Sequence, residues 1–484
     1  MRGRLAALAA IGLLFGCSPV REPRGVLGRL WRLEVGPDYR RPAVATPPDF
    51  RNRIGPAEAA SFADLPWWRV FDDATLGRLI GEALADNFDL QAAVARVGEA
   101  RARVGVAASP LYPQVGYQGE ASRSRVFFPI GAGGNVTFDT FAGLFDVAWE
   151  IDVWGRIRRA TEAARANLLA SEEARRGVVL TLVSDVATAY FQLLELDREL
   201  EIAHESTDAY RETRDLFLER YRHGTDTKIS IARAEAALDA SLAATAAVER
   251  QIAQQEDAIS VLLGADPEPI PRGLPLVAQA MPATPPGLTT ALLHRRPDIR
   301  QAEEDMIAAN ALVGVAVASF FPTIGLSALY GGQGERIGDV VKDSFSIWNV
   351  AGNAAGPLFE GGRLLESYRA QRAFWDETIA RYRATVVTAF REVSDALAAE
   401  ATLTDQRAAL EKQVAALREA KDLSLLRYHT GYAYYFEVLD AEQQLYPAEA
   451  ALAQTQRDQL LAVVSLYRAL GGGWETPGDP AAGP

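Results

Sequence analysis

The sequence predicts a mainly α-helical chain that lends four β-strands to a membrane β-barrel shared between copies. Three observations carry this: the two halves of the chain repeat one another, each half holds a very long proline-free segment, and each holds a glycine-rich stretch where the helical period gives way to strand alternation.

The repeat keeps register over most of its length. Val104-Gly105-Val106-Ala107 recurs as Val313-Gly314-Val315-Ala316, Tyr112-Pro113 is answered by Phe321-Pro322, and Asp89 by Asp298, all at an offset of 209. Gly155-Arg156, Arg220-Tyr221, Gly224, Ala234-Glu235 and Leu263-Gly264 return as Gly362-Arg363, Arg427-Tyr428, Gly431, Ala441-Glu442 and Leu470-Gly471 at an offset of 207. A period this long is no solenoid unit and implies a duplicated module, 72–285 and 286–474.

Residues 156–222 contain no proline and only Gly177, and residues 363–430 contain neither proline nor glycine. Rich in Ala, Leu, Glu and Arg, they predict two helical rods of about 100 Å at 1.5 Å per residue. Beyond turns at Gly224 and Gly431, returning helices over 225–263 and 432–470 cover only about 58 Å. Helices over 87–109 and 297–320 add roughly 35 Å each and are expected to stack end to end on the returning helices, giving two antiparallel columns per module. Small residues such as Ala232, Ala234, Ala236-Ala237 and Ala243-Ala244 predict close interhelical packing. Pro447 predicts a kink in the second returning helix alone.

The stretches 113–152 and 322–359 read as hairpins with tips at Gly131-Ala132-Gly133-Gly134 and Gly331-Gly332-Gln333-Gly334. Over 145–153, Phe145, Val147, Trp149, Ile151 and Val153 alternate with Asp146, Ala148, Glu150 and Asp152, one face apolar and one polar. Alternation alone fits a half-buried soluble strand as well as a membrane strand. Four strands cannot close a barrel, and an open edge in lipid would strand backbone donors, so a membrane barrel would be shared: eight strands from two chains or twelve from three, a wide pore favouring three.

The N-terminus supplies the compartment. Arg2 and Arg4 precede an apolar stretch that ends in Leu14-Phe15-Gly16-Cys17, which reads as a lipoprotein signal peptide, 1–16, too short for a permanent membrane helix. Cys17 is the single cysteine among 484 residues, so disulfides and thiolate metal sites are excluded and its sulfur is left for lipid. The expected modification is a covalent diacylglycerol and palmitate at Cys17, with no other cofactor. Ser18 after the cysteine resembles the signal for sorting to the outer membrane. No later apolar run is expected to reach the roughly eighteen residues of a membrane helix. A net charge of -13 argues against nucleic acid.

Other constellations read as structural. His204, His223, His294 and His429 include no pair at metal-ligand spacing, and His223 and His429 read more readily as solvated turn residues than as a pH-sensitive gate. Gly361-Gly362-Arg363 lacks the lysine of a phosphate loop and fits a strand-to-helix turn. In Arg295-Arg296-Pro297-Asp298, Pro297 suits a first helical turn and Asp298 the positive end of its dipole. No nucleophile with a paired base is present, so no enzyme is expected.

The motifs also resemble a family. Val35-Gly36-Pro37-Asp38-Tyr39 with Pro42, Trp67-Trp68 with Phe71, Asp73, Leu76, Leu79-Ile80, Asn87 and Asp89-Leu90, then Arg295-Arg296-Pro297-Asp298-Ile299, Phe320-Phe321-Pro322, Pro357-Leu358-Phe359-Glu360-Gly361-Gly362-Arg363 and Leu470-Gly471-Gly472-Gly473-Trp474 are similar to the outer-membrane factors of tripartite efflux pumps, in particular the NodT-like lipoprotein branch. The resemblance spans nearly the whole mature chain. It implies a homotrimer with a twelve-stranded outer-membrane barrel, a periplasmic α-barrel and an equatorial belt, wrapped by segment 17–71 and followed by a disordered tail, 475–484. It implies export of drugs or other small solutes, with a periplasmic adaptor and an inner-membrane transporter of the resistance-nodulation-division type as partners. The turns would form a gated periplasmic tip, for which the candidate residues are Arg220, Tyr221, Gly224, Thr225, Asp226, Arg427, Tyr428, Gly431, Tyr432 and Tyr434. Two departures stand out: a basic insert with Arg21, Arg24, Arg29 and Arg32, and Ala433 where relatives often carry an acid. A duct for type I protein secretion and a non-porous coiled-coil lipoprotein are the competing readings.

Overall fold

The structure, a computed structural model, describes residues 33–44, 46–52, 70–128, 134–282, 284, 287, 289–432 and 434–472. The signal peptide, Cys17, the insert arginines, Trp67-Trp68, the glycine run up to Gly133, Ala433, Gly473-Trp474 and the tail lie outside the described residues. The first half runs α1 (Ala74–Asp86), α2 (Phe88–Ala108), β1 (Gln114–Phe128), β2 (Gly134–Ile151), α3 (Arg156–Arg222) and α4 (Lys228–Leu263). The second runs α5 (Leu292–Arg295), α6 (Pro297–Ala318), β3 (Thr323–Gly334), β4 (Ser346–Ala355), α7 (Arg363–His429) and α8 (Tyr435–Ala469). Helices α3 and α7 each hold 67 residues, as the lack of helix breakers implied. Helix α8 continues unbroken through Pro447, which removes a backbone donor without ending the segment.

The chain divides into two compact units, one made of 102–166 and 307–377 with the described residues up to Arg40, the other of 41–101, 167–306 and 378–472. In the first unit the four strands form one antiparallel sheet in the order β1-β2-β3-β4. Strand β2 ends at Ile151 rather than at Val153, because Asp152 turns to cap α3: its carboxylate accepts from the backbone N–H groups of Ile157 at 3.2 Å and Arg158 at 2.9 Å. The second glycine run is not a hairpin tip. It closes β3, with Gly331 opposite Leu144 and Ile347, and the connection lies at 335–345. Those glycines are selected by crowding, since a Cβ on Gly331 would fall 2.1 Å from the Gly143 carbonyl oxygen.

In the second unit the core gathers Leu76, Leu79 and Ile80 of α1, Tyr190, Phe191 and Leu193 of α3, Ile259 of α4, Val393 of α7 and Val463 of α8. Burying each such side chain contributes about 1.5–3 kcal/mol. Contrary to the expectation of no such run, a window of α3 is long and apolar enough to cross a bilayer by length and composition, although 67% of it is buried. Scattered polar residues hid it from a search for unbroken apolar runs, and its side chains are spent on the core.

Both expected end-to-end helix junctions are present in this unit. The Asn87 side chain donates to the Leu262 carbonyl at the end of α4 (3.0 Å) while its Oδ1 accepts from the Leu90 N–H of α2 (3.0 Å). At the second junction Arg296, just before α6, donates to the Ala469 carbonyl that ends α8, at 2.8 Å. The small-residue runs behave differently from the expectation: within 232–237 only Ala234 is buried, so most of that face is left uncovered by the described residues of a single chain.

Candidate functional site

The turns that join the long helices to the returning ones are built identically. After α3, Gly224 adopts φ +77°, the Thr225 N–H donates to the Arg220 carbonyl at 2.9 Å and the Gly224 N–H to Tyr221 at 3.0 Å. After α7, Gly431 adopts φ +81°, the Tyr432 N–H donates to Arg427 at 2.9 Å and the Gly431 N–H to Tyr428 at 3.1 Å. This double bonding satisfies the last helical carbonyls and requires a left-handed residue, which glycine supplies without steric cost. It explains why the glycine recurs in step.

The side chains around the two turns differ. Tyr428 is buried beneath the Arg220 guanidinium, which lies 4.4 Å from its ring centre, whereas Tyr221, Tyr432 and Tyr434 are exposed. Arg427 pairs with Glu437 at 3.1 Å, and the Asp226 carboxylate accepts from the Thr227 N–H at 2.7 Å. His223 is exposed and 2.9 Å from Glu219, consistent with a solvated turn histidine. Of the ten candidate tip residues, the structure thus brings Arg220 and Tyr428 together across the two hairpins and leaves three tyrosines facing outward.

Behind the turns, Tyr428 and Tyr435 belong to an aromatic cluster whose other members, Phe217, Tyr210 and Tyr446, had no signal in the sequence. Tyr435 meets Phe217 and Tyr428 edge-on at 4.8 and 4.9 Å and hydrogen-bonds Thr213, and Tyr210 meets Tyr446 at 6.0 Å. Glu442 is sunk beside this cluster, with one carboxylate oxygen lacking a hydrogen-bond partner among the described residues. Its repeat partner Glu235 is exposed, so the register marked the position but not its burial. Burial pushes the Glu442 carboxyl above the ordinary range, opposed by Lys421 and reinforced by Glu212. The folded chain therefore keeps this proton to higher pH than the unfolded chain, and stability falls as pH rises through that interval. Glu442→Gln is expected to stabilise the fold by about 1–3 kcal/mol at pH 8, with the gain shrinking toward pH 5. Melting curves at both pH values check this, and an equal gain at both would assign the effect to packing instead.

The sheet is two-faced. Directly opposed residues of an antiparallel ladder share a face, and the register sets Tyr117, Phe145, Tyr330 and Trp348 in one row across all four strands, with Val115, Val147, Ala328 and Val350 in a neighbouring row. All four aromatics of that row are exposed, from 54% for Phe145 to 85% for Tyr117. The other face carries Gln114, Gln118, Asp146, Glu150, Ser327, Asn349 and Asn353. An exposed apolar belt with an aromatic row, backed by a polar face, is the pattern of a strand set between lipid and an aqueous lumen.

Comparison with known proteins agrees. The sequence matches the family described as outer membrane efflux protein over residues 79–265 and 288–472. The chain belongs to the outer membrane efflux protein family. Among its relatives, the solvent efflux pump outer membrane protein SrpC of Pseudomonas putida is 34% identical over 446 residues, covering 90% of this chain and 95% of the relative. The cation efflux system protein CusC of Escherichia coli K12 is 31% identical over 443 residues, covering 91% and 96%. The open-state outer-membrane channel MtrE of Neisseria gonorrhoeae superposes with a TM-score of 0.82 at 30% identity, covering 91% of this chain and 99% of that one. This efflux protein is an outer-membrane channel component of a tripartite efflux system, non-catalytic, with the helical and β-sheet architecture of that family's channels.

Proposed function

We propose that three copies of this efflux protein join their sheets into a twelve-stranded outer-membrane barrel and their helices into a periplasmic tube that conducts drugs or other small solutes outward. The observation that carries this is the pair of open sheet edges. Among the described residues β1 pairs only with β2 and β4 only with β3, so along both outer edges backbone groups would be unpaired in lipid unless neighbouring chains complete the ladder. The uncovered small-residue face of α4, and Leu365, Phe374, Val387, Leu423 and Leu426 left exposed on α7, give the helices the same need for neighbours.

In this reading the repeats 72–285 and 286–474 stand twice around the tube, and segment 17–71 wraps the equatorial region. Lipid anchoring is typical of the family, and Cys17 carries the diacylglycerol and palmitate. The turns at Gly224 and Gly431 form the periplasmic tip, gated by the residues around Tyr428 and Tyr432 and engaged by an adaptor bound to a resistance-nodulation-division transporter. Arg220 stacked on Tyr428 ties the two hairpins of a chain together at rest, and opening would separate them.

A photo-crosslinking residue at Thr225 or Tyr432 in whole cells tests the assignment. Capture of an adaptor that pairs with a proton-driven transporter is the expected result. Capture of an adaptor from an ATP-driven secretion system would reassign the chain to protein export, and no capture at either position would overturn the tip.

A further inference from the structure

The connection between β3 and β4 does not continue away from the sheet but folds back onto its apolar face. A Cβ on Gly332 would fall 2.0 Å from the Val340 carbonyl oxygen, one on Gly143 would lie 3.0 Å from Val340 Cγ1, and one on Gly334 2.6 Å from Asp339 Cβ. Gly143 and Gly332 oppose one another two residues beyond the pair Phe145 and Tyr330, so they lie on the same face as the aromatic row. Three glycines thus clear a seat for the connection beside that row.

The connection is a built structure. Short 3-10 turns at Ile337–Asp339 and Asp343–Phe345 frame it, Lys342 Nζ pairs with Asp339 at 2.6 Å, and the Lys342 N–H donates to the Asp339 carbonyl at 3.0 Å. Yet it presents Ile337 at 76% and Val341 at 85% exposure, and a cleft of about 420 Å³ separates it from Tyr117, Phe145 and Tyr330. A loop meant for water has no reason to lie down on a lipid-facing surface and turn two branched aliphatic side chains outward.

We propose that the 335–345 connection is a membrane-surface anchor: seated on the outer face of the barrel, it inserts Ile337 and Val341 into the interfacial zone of the bilayer. The occupant of this surface is lipid, because the patch is continuous with the apolar belt and borders Tyr117 and Tyr330 across the cleft, tyrosine being a residue type that marks that zone. The proposal rests on the reading that the apolar face meets lipid.

The test uses the full chain in phosphatidylcholine vesicles with brominated acyl chains, carrying an environment-sensitive fluorescent amino acid at position 341, 350 or 225. Emission from 341 should be quenched by the brominated lipid nearly as strongly as emission from 350 and several-fold more than from 225, and it should resist aqueous iodide. Quenching at 350 with water-like behaviour at 341 would overturn the anchor alone. Water-like behaviour at both would overturn the lipid-facing assignment and the anchor with it. Gly332→Val, which fills the seat, should abolish quenching at 341 and preserve it at 350; retained quenching at 341 would show that the glycine seat does not place the connection.

Discussion

Asp73→Ala is expected to cost the fold about 2–5 kcal/mol, a lost helix cap together with an orphaned buried donor. The Asp73 carboxylate, only 5% exposed, accepts from the backbone N–H groups of Thr75 (2.8 Å), Leu76 (3.2 Å) and Leu274 (3.2 Å), the Tyr190 hydroxyl (3.0 Å) and the Gln279 amide (2.8 Å). Alanine would leave the hydroxyl of the fully buried Tyr190 without its acceptor, where water cannot replace it, whereas the exposed Leu274 N–H can turn to solvent. Burial alone would raise this carboxyl, but the bonds from Gln279, Leu76, Tyr190 and Leu274 outweigh it and hold it below its ordinary value. Its contribution is therefore present above the unfolded value and is lost as pH falls through the folded one. Denaturant titration of wild type and Asp73→Ala at pH 7 and at pH 3 reads both effects: the gap should narrow in acid, and a constant gap would mean that the charge plays no part.

Arg296→Ala carries the second large expectation, about 1–3 kcal/mol, from the lost bond to a buried helix-end carbonyl, since the Asp298 and Glu392 carboxylates left behind reach solvent. Arg296 is 7% exposed, grips Asp298 through two bonds of 3.0 and 2.7 Å, pairs with Glu392 at 2.8 Å and holds the final carbonyl of α8. A guanidinium matches that geometry and an ammonium does not, so Arg296→Lys should recover less than half of the loss. Hydrogen exchange should speed up first at the end of α8, around Leu470 and Gly471. Unchanged protection there would show that the junction is held by packing alone.

Much of this architecture was legible without coordinates because it depends on local chemistry. Proline and glycine placement set the ends of α3 and α7, and the paired Gly224 and Gly431 turns followed from repeat register, since a left-handed helix stop is a property of a few adjacent residues. The alternation at Phe145, Val147 and Trp149 gave the two-faced strand, and the count of four strands implied neighbouring chains. Helix lengths also implied the two end-to-end junctions, but the side-chain contacts between distant segments escaped. The second glycine run read as a hairpin tip because nothing local distinguishes a loop glycine from one crowded by the Val340 carbonyl. Glu235 and Glu442 are equal in register, and only packing makes one a surface residue and the other a buried acid among tyrosines. The motif residues Asp73 and Arg296 were visible as letters, but their roles as hubs required Tyr190, Gln279 and Ala469 to arrive from elsewhere in the chain. Sequence by itself determined the helices, the strands and their repeat, because those follow from short-range sterics and periodicity; tertiary structure alone decided which polar groups are buried and which glycines are seats, because burial depends on partners that no local pattern names.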